Sequence, residues 1–174
     1  IDVGGTGMRI SEALSLTHAD YIKEEKLIHI QKGKFRKQRY LVLSNSAANR
    51  LNEYIQRYQC TLPIEEDSAL FVNIRTKPLT YNSAYSAFVK TLNKSGIVKN
   101  HRGPRLHDFR HTFAIHRLLQ WYQTEQDINA KLPFLSTYMG HVDITSTQVY
   151  LQAANELLQA GSERFYNFFT HHIK

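Results

Sequence analysis

Cysteine is almost missing from this sequence, because Cys60 is the only one among its 174 residues. A single thiol excludes a disulfide within the chain, and it also excludes a zinc site built from several cysteines. No run of apolar residues approaches the ~20 that a helix needs to cross a bilayer. The lone cysteine fits a protein of a reducing cytosol.

Acidic side chains are fewer than basic ones. Asp and Glu number 15 against 22 Lys and Arg, which gives a formal net charge of +7 with the histidines neutral. Hydrophobic residues make up 42% of the chain, which is typical of a folded domain and too high for a disordered one. A basic folded domain favours a polyanionic partner, nucleic acid first and an anionic membrane surface second. The alternative is a basic soluble protein without such a partner.

The common phosphate-binding loops are also missing. Gly4, Gly5 and Gly7 stand close together, but no Gly-Lys-Ser/Thr follows them. Their spacing does not match the dinucleotide-binding fingerprint either. We interpret these glycines as a turn. The sequence has no internal repeat and no low-complexity tract.

Apolar residues recur at helical spacing over most of the chain and alternate over one short part of it. This periodicity predicts a mainly helical chain with strands between residues 21 and 43. Gly96 is expected to end one helix, and Pro133 to kink another or to begin a new element. The predicted helices cover 8–16, 44–58, 81–95, 106–122, 126–139 and 156–169, with a further helix starting near 145 and a short strand at 70–73.

The predicted helix over 106–122 carries an apolar stripe that we expect to be buried. At its end, Trp121 and Tyr122 are expected to be core aromatics. The stripe consists of Leu106, Phe109, Phe113, Leu118 and Leu119.

Two places combine arginine with a second ionisable side chain. Arg9 and Glu12 are three residues apart and therefore share a helix face. His107 and Arg110 also project from one side of a helix. His107 and His111 have the spacing of a zinc-ligand pair, but no HExxH glutamate accompanies them, so we expect no metal. The alternative for each residue is an ordinary surface or core polar role.

A third place is the segment around a Gly-His step, LSTYMGHVDITSTQVY. Asp143 and Thr145 are candidate N-caps of a helix, which puts Tyr150 about two turns from the start of that helix. A phenol has an ordinary pKa of about 10. As a nucleophile, Tyr150 therefore needs neighbours that take its proton and neutralise the charge of its target.

Two loops are strongly basic: a hairpin around Gly33 and the segment 99–105. A hairpin tip can reach into a groove or toward a phosphate. The alternative is a solvated, charged loop. The side chains that we expect to contact backbone phosphates are Lys32, Arg36, Lys37, Arg39, Arg102 and Arg105.

In their order along the chain, these residues resemble the catalytic domain of the tyrosine recombinases, also called the phage integrase family. Residues 6–12 (TGMRISE) match the first box of that family, residues 106–112 (LHDFRHT) match the second, and Met139-Gly140-His141 followed by Tyr150 match the third. The resemblance implies an α+β, mainly α-helical fold with a small three-stranded antiparallel sheet on one edge. We expect the catalytic domain to cover residues 1–174 and the family's N-terminal DNA-clamping domain to lie outside them.

The resemblance implies a site-specific DNA recombinase or integrase. Such an enzyme cleaves and rejoins strands through a 3′-phosphotyrosyl intermediate, with Tyr150 as the nucleophile. His107 would accept the phenol proton. Lys34 would protonate the leaving 5′ oxygen, with Lys32 or Lys37 as the alternatives.

The same resemblance gives a role to the remaining charged residues. Arg9 and Arg110 would bind the phosphate oxygens, and His141 would donate a further hydrogen bond. Glu12 would orient Arg9 or His107. No ATP is implied, because the phosphotyrosine stores the bond energy, and no metal is required beside two guanidiniums.

The implied partner is double-stranded DNA in a bacterial cytosol or nucleoid. We expect a tetramer on DNA, a monomer or weak oligomer without it, and no membrane partner. Residues 155–174 are expected to form a C-terminal helix that docks onto a neighbouring subunit or onto its own core. Two rival functions are a type IB topoisomerase and a DNA-binding module that has lost activity.

Overall fold

The structure, a computed structural model, describes residues 5–31, 38–59, 65–98, 103–141 and 145–172, with only the backbone given for 58–59 and 163–172. The chain forms two compact units, Ile1–Phe113 and Ala114–Lys174. The described residues form the helices α1 (Ile10–Leu14), α2 (Asn45–Gln59), α3 (Tyr81–Lys94), α4 (Asp108–Gln123), α5 (Ile128–Met139) and α6 (Thr145–His172), and the strands β1 (Tyr21–Ile22), β2 (Leu27–Ile30) and β3 (Arg39–Val42).

The three strands form one antiparallel sheet in the order β1-β2-β3. Ile28 lies opposite Leu41 in the register, and both side chains are buried together with Ile30. Tyr40 and Val42 on β3 are exposed. This alternation is what a sheet with one face on the core produces. The mainly helical fold with a small three-stranded antiparallel sheet is therefore confirmed.

Gly7 makes the turn that leads into α1. Its φ of 63° lies in the left-handed region that favours glycine. A Cβ at this position would collide with the ring of Phe113. The Gly7 carbonyl also accepts a 2.6 Å hydrogen bond from Nη1 of Arg110. Because Arg110 and Phe113 are neighbours on one face of a helix, the first turns of α4 are fixed against the Gly7 turn.

Both ends of α3 have a clear local cause. The hydroxyl of Thr80 accepts a 3.2 Å hydrogen bond from the backbone N–H of Ser83, which satisfies an orphan donor of the first turn. The helix ends at Lys94, and Gly96 follows with a φ of 71°. The predicted end of this helix at Gly96 is confirmed.

Pro133 lies inside α5, which continues to Met139, so the prediction that a new element begins there is wrong. The proline ring removes one backbone donor in the second turn of the helix. Asp127 caps the start of α5, because its side chain accepts from the N–H of Ala130 at 3.1 Å. Burial of Leu132 and Leu135 on either side of the proline offsets the lost hydrogen bond.

Three predictions about the helices and strands are wrong. The first helix is confined to Ile10–Leu14 and does not extend over 8–16. No strand forms at 70–73 in the described chain; Val72 makes an isolated bridge with Pro78 instead. The helix near 145 and the helix over 156–169 are one continuous α6 of 28 residues, because Gly161 does not interrupt it.

None of the helices in the described ranges is long and apolar enough to span a bilayer.

The buried side of α4 agrees with the predicted stripe at Phe113 and Leu118 but not at Phe109. Arg110, Phe113 and Leu118 are buried, whereas Phe109 is exposed and meets Phe88 edge-on at a centroid distance of 5.7 Å. Tyr122 was expected in the core, but it is exposed, and its hydroxyl donates to Asn155 at 2.7 Å. The predicted stripe left Arg110 out because it was drawn from hydrophobic residues alone.

Three glycines provide a matched test of the Gly7 turn. We expect Gly7→Ala to lower the free energy of unfolding by about 2 kcal/mol or more, because left-handed strain adds to the collision with Phe113. Gly96→Ala has a similar φ but nothing within 4 Å, so it should cost only about 1 kcal/mol. Gly161→Ala lies in open space within α6 and should stabilise by up to about 1 kcal/mol. Urea unfolding measures all three, and equal losses for Gly7→Ala and Gly96→Ala would contradict the packing argument.

Candidate active site

A buried carboxylate joins two arginines in the first unit. Glu12 is 3% exposed, and its Oε1 accepts from Nη1 of Arg9 at 3.0 Å and from Nη1 of Arg39 at 3.1 Å. Its Oε2 accepts from the backbone N–H of Arg9 at 2.8 Å and from Nη2 of Arg39 at 2.9 Å. Four charge-assisted hydrogen bonds therefore satisfy the carboxylate. Glu12 orients Arg9 in this way, as one of its two predicted roles requires.

These hydrogen bonds keep Glu12 ionised. Burial by itself raises the pKa of Glu12. The hydrogen bonds from Arg39 and Arg9 lower it by a larger amount, so that the pKa lies below its ordinary value. The carboxylate is therefore negative at neutral pH. Arg39 is only 9% exposed at its side chain, and its guanidinium points at Glu12. Contact of Arg39 with a DNA phosphate stays a prediction.

Arg110 brings a further guanidinium into the same unit. It is 2% exposed and donates to the Gly7 carbonyl, two residues before Arg9. An arginine cannot lose its proton in a protein, so the charge of Arg110 persists in this buried position. A buried cation held by a backbone carbonyl can stabilise an anionic ligand more strongly than one in water.

His107 lies on the exposed surface next to these arginines. Desolvation lowers the pKa of His107, and the positive charges of His111, Arg110 and Arg9 lower it further against the opposing effect of Asp108. The imidazole is therefore neutral at pH 7 and can accept a proton. This is the protonation state that the predicted role as a base requires.

His111 lies one turn from His107, with the ring centroids 4.8 Å apart and the planes nearly perpendicular. Desolvation is also the largest cause of the lowered pKa of His111. Among the residues that the structure describes, no three His, Cys, Asp or Glu side chains are grouped to hold a metal ion.

Arg105 and Asp108 form an ion pair at the start of α4. Asp108 accepts from the backbone N–H of Arg105 at 2.8 Å and from Nε and Nη2 of Arg105 at 3.1 Å and 3.0 Å. The Arg105 side chain is still 67% exposed. The pair therefore fixes the direction of the guanidinium and leaves it accessible to an anion.

His141 follows the end of α5 in the second unit. Gly140 adopts a left-handed φ of 67°, and the backbone N–H of His141 donates to the carbonyl of Ser136 at 3.0 Å. This is the usual glycine termination of a helix. Nδ1 of His141 lies 2.7 Å from the hydroxyl of Thr147. One ring nitrogen is therefore held by α6.

Tyr150 packs against His141 in the same unit. Their rings are nearly parallel, with centroids 6.0 Å apart. Tyr150 is 5% exposed, and Thr147, one turn earlier on α6, is fully buried. His141, Thr147 and Tyr150 thus form one cluster, in which α6 supplies the tyrosine and the hydroxyl that orients the histidine.

A comparison with protein families matches residues 3–156 to the model of the phage integrase family. The chain belongs to the phage integrase family. The match covers Arg9, Glu12, His107, Arg110 and the His141 cluster. The family indicated by the three boxes is therefore confirmed.

Curated relatives resemble this integrase-family chain over most of its length. The protein y4rB of Sinorhizobium fredii is 33% identical over 162 residues, which are 91% of this chain and 52% of the relative. Tyrosine recombinase XerD of Corynebacterium glutamicum is 32% identical over 155 residues, 89% of this chain and 47% of the relative. The chain therefore spans about half the length of the curated relatives that it matches.

Solved structures share the fold. The crystal structure of XerA recombinase has a TM-score of 0.71 at 23% identity, covering 92% of this chain and 54% of that one. XerH site-specific recombinase bound to its difH substrate, in a pre-cleavage complex, has a TM-score of 0.62 at 26% identity, covering 86% of this chain and 40% of that one.

The structure locates only part of the predicted site. It brings Arg9, Glu12, His107 and Arg110 into one unit, and His141 with Tyr150 into the other. Their catalytic roles stay predictions. Lys32, Lys34, Arg36, Lys37, Arg102 and the candidate cap Asp143 lie outside the described residues.

Sequence reasoning missed two contributors to these clusters. Arg39 was assigned to the phosphate-binding loop, although it holds Glu12 across 27 positions of sequence. Thr147 was given no role, although its hydroxyl orients His141. The only local signal for Thr147 was its place one turn before Tyr150 on a helix.

Removing the charge of Glu12 should destabilise the first unit. We expect Glu12→Gln to lower the free energy of unfolding by about 3 kcal/mol at pH 7, because a buried ion pair loses one partner. Because the pKa of Glu12 is lowered, this contribution is complete above its ordinary value of 4.5 and disappears only as the pH falls through the lowered pKa.

Glu156→Gln is the matched control, because Glu156 lies on an exposed turn of α6, where it accepts a hydrogen bond from Gln152. It should change the unfolding free energy by less than about 0.5 kcal/mol. Urea unfolding from pH 7 to pH 3 measures both variants. Equal effects of the two substitutions at pH 7 would contradict the buried network.

Proposed function

We propose that this chain is the catalytic domain of a tyrosine-type site-specific DNA recombinase or integrase that acts on double-stranded DNA. The observation that supports this proposal most directly is the combination of Arg9, Arg110 and a neutral His107 in one unit, since desolvation, and after it the positive charges of His111, Arg110 and Arg9, lower the pKa of His107. Membership of the phage integrase family supports the same reading.

The arginines are proposed to bind the phosphodiester that is cleaved. Arg9 and Arg110 each present a planar guanidinium, which can donate two parallel hydrogen bonds to non-bridging phosphate oxygens. Such donors stabilise the charge that develops in the transition state, and they act most strongly when they are already in place. Glu12 and the Gly7 carbonyl hold Arg9 and Arg110 before any substrate binds.

Tyr150 is proposed to be the nucleophile. Its phenol oxygen forms a bond with phosphorus, and the bond from phosphorus to the 5′ oxygen breaks, which leaves the 3′ phosphate attached to the tyrosine. The phenol proton passes to His107, and the 5′ oxygen takes a proton from Lys34, with Lys32 or Lys37 as alternatives. His141 is proposed to donate a hydrogen bond to the phosphate.

Rejoining reverses these steps with a 5′ hydroxyl from another strand. The phosphotyrosine conserves the energy of the broken bond, so that no ATP is needed. Two guanidiniums offset the phosphate charge, so that the proposed step requires no metal.

The assembly on DNA belongs to the same proposal. We propose four subunits on DNA and a separate N-terminal clamping domain outside residues 1–174. We propose that residues 155–174 dock either onto a neighbouring subunit or onto their own core. Deletion after Gly161 separates these alternatives, because only docking onto a neighbour predicts weaker DNA-dependent assembly.

Cleavage should leave a covalent protein–DNA adduct that depends on Tyr150. Nicked suicide duplexes, tiled across the DNA that flanks the gene, trap the adduct because the 5′ fragment diffuses away. The native protein should give a slower band on a denaturing gel, and Tyr150→Phe should give none. Because Tyr150→Phe removes only the hydroxyl, unchanged packing can be checked by its melting temperature.

Other outcomes identify the rival functions. Relaxation of supercoiled plasmid without site preference would favour a type IB topoisomerase. Identical behaviour of Tyr150→Phe and the native protein in every cleavage assay would favour a DNA-binding module without activity.

The rate of adduct formation should depend on the protonation of His107. Because the pKa of His107 lies below its ordinary value of 6.5, the rate should rise with pH below that value and be constant between pH 7 and pH 8. His107→Asn should lower the rate about 10²- to 10⁴-fold by removing the base. Single-turnover rates at each pH measure both effects, and a native rate that still rises tenfold from pH 7 to pH 8 would contradict the role of His107.

A further inference from the structure

A cavity borders His107, and His107 is the only one of its lining residues that the reaction described above uses. Its volume is about 560 Å³, within the range of about 300–1,000 Å³ that is usual for small-molecule sites. It lies between the start of α3 and the segment that leads into α4. Its lining consists of Tyr81, Tyr85, Arg105, Leu106, His107 and His111.

Two tyrosines form an aromatic wall of this cavity. Tyr81 and Tyr85 are one turn apart on α3, with ring planes 12° apart and centroids 6.2 Å apart. They are 51% and 39% exposed, although large aromatic side chains are usually well buried. Their support is rigid, because Thr80 caps the helix and Phe88 of α3 packs against Phe109 of α4.

An arginine and two histidines form the other wall of the cavity. The Arg105 guanidinium is fixed by Asp108 and remains accessible, so that it can bind a phosphate. His107 and His111 face the same space. Aromatic faces beside a fixed cation are the composition of sites that bind single-stranded nucleic acid.

The proposed function creates a need for such a site. A strand that is rejoined to a new partner first has to leave its own complement, so that nucleotides next to the break become unpaired. Opening one base-pair step costs a factor of about 10 in the equilibrium. Stacking of one base on an aromatic side chain recovers about 5- to 150-fold, which is enough to offset that cost.

We propose that the cavity is a subsite for an unpaired nucleotide next to the cleaved phosphate. The base stacks on Tyr81 and Tyr85, and Arg105 binds the adjoining backbone phosphate. The subsite rests on the proposed function. If His107 lies at the phosphate that is cleaved, the nucleotide next to that phosphate lies beside the cavity that His107 lines.

A binding experiment tests the subsite without any cleavage. The protein carries Tyr150→Phe in every sample, so that no strand is cut. One probe is a nicked duplex with two unpaired nucleotides at the 5′ end of the nick. The matched probe has the same backbone with both bases removed, so that its phosphates are unchanged. Fluorescence anisotropy gives the dissociation constant for each pair of protein and probe.

The expected result is a coupling between the tyrosines and the bases. The parent should bind the probe with bases about 10-fold more tightly than the abasic probe, the value expected for one stacked base. Tyr81→Ala/Tyr85→Ala should show less than a twofold preference, whereas Tyr81→Phe/Tyr85→Phe keeps the rings and should keep the preference. Phe134→Ala removes an exposed ring that does not line the cavity and should behave as the parent.

Two results would overturn the subsite: no preference by the parent, or a preference that the alanine variant retains. Neither depends on catalysis, so they are distinct from a failure of the proposed function, which is the absence of a Tyr150-dependent adduct.

Where the adduct forms, strand exchange gives a second readout. The alanine variant should exchange paired DNA about 10-fold more slowly than the parent, and two mismatched pairs beside the break should restore its rate. An equal loss on paired and mismatched DNA would count against the subsite.

Discussion

The buried carboxylate of Glu12 is the constraint on which the first unit depends. An ionised carboxylate out of water is tolerated only when it is paired and hydrogen-bonded. Arg9 meets this need from the start of α1 and Arg39 from the first residue of β3. The same four hydrogen bonds thus join a helix to the sheet and fix an arginine whose charge contributes to the lowered pKa of His107. The hydrogen bonds that stabilise the first unit are therefore also the ones that hold Arg9 in place for the proposed reaction.

A second constraint is the permanent charge of Arg110. Because this guanidinium cannot be neutralised, its burial demands a fixed acceptor, which the Gly7 carbonyl provides. The turn can offer that carbonyl only because a glycine tolerates the left-handed conformation and leaves room for Phe113. Arg9 and Arg110 are therefore oriented by the folded chain itself. An anion that binds them does not have to order flexible side chains, which is the physical meaning of preorganisation.

His107 and His141, the two histidines of the proposed site, have different surroundings. Desolvation, together with nearby positive charges, lowers the pKa of His107 and keeps it neutral, which suits a proton acceptor. His141 is tied through Nδ1 to the buried hydroxyl of Thr147 and stacks on Tyr150. Its orientation is thus coupled to α6, the helix that carries the proposed nucleophile. A change in the position of α6 would alter the tyrosine and the histidine together.

The sequence by itself determined the features that rest on local spacing. Periodicity predicted the helices and the strands between residues 21 and 43, Gly96 marked the end of α3, and three ordered boxes indicated the family, whose fold implied the three-stranded sheet. Only the tertiary structure decided that Arg110 would be buried in place of Phe109, that Tyr122 would be exposed, and that α5 would continue through Pro133. It also decided that Arg39 would hold Glu12 from 27 residues away. The physical reason is that burial and ion pairing depend on which surfaces meet, and a pattern within one segment carries no information about the segment that packs against it.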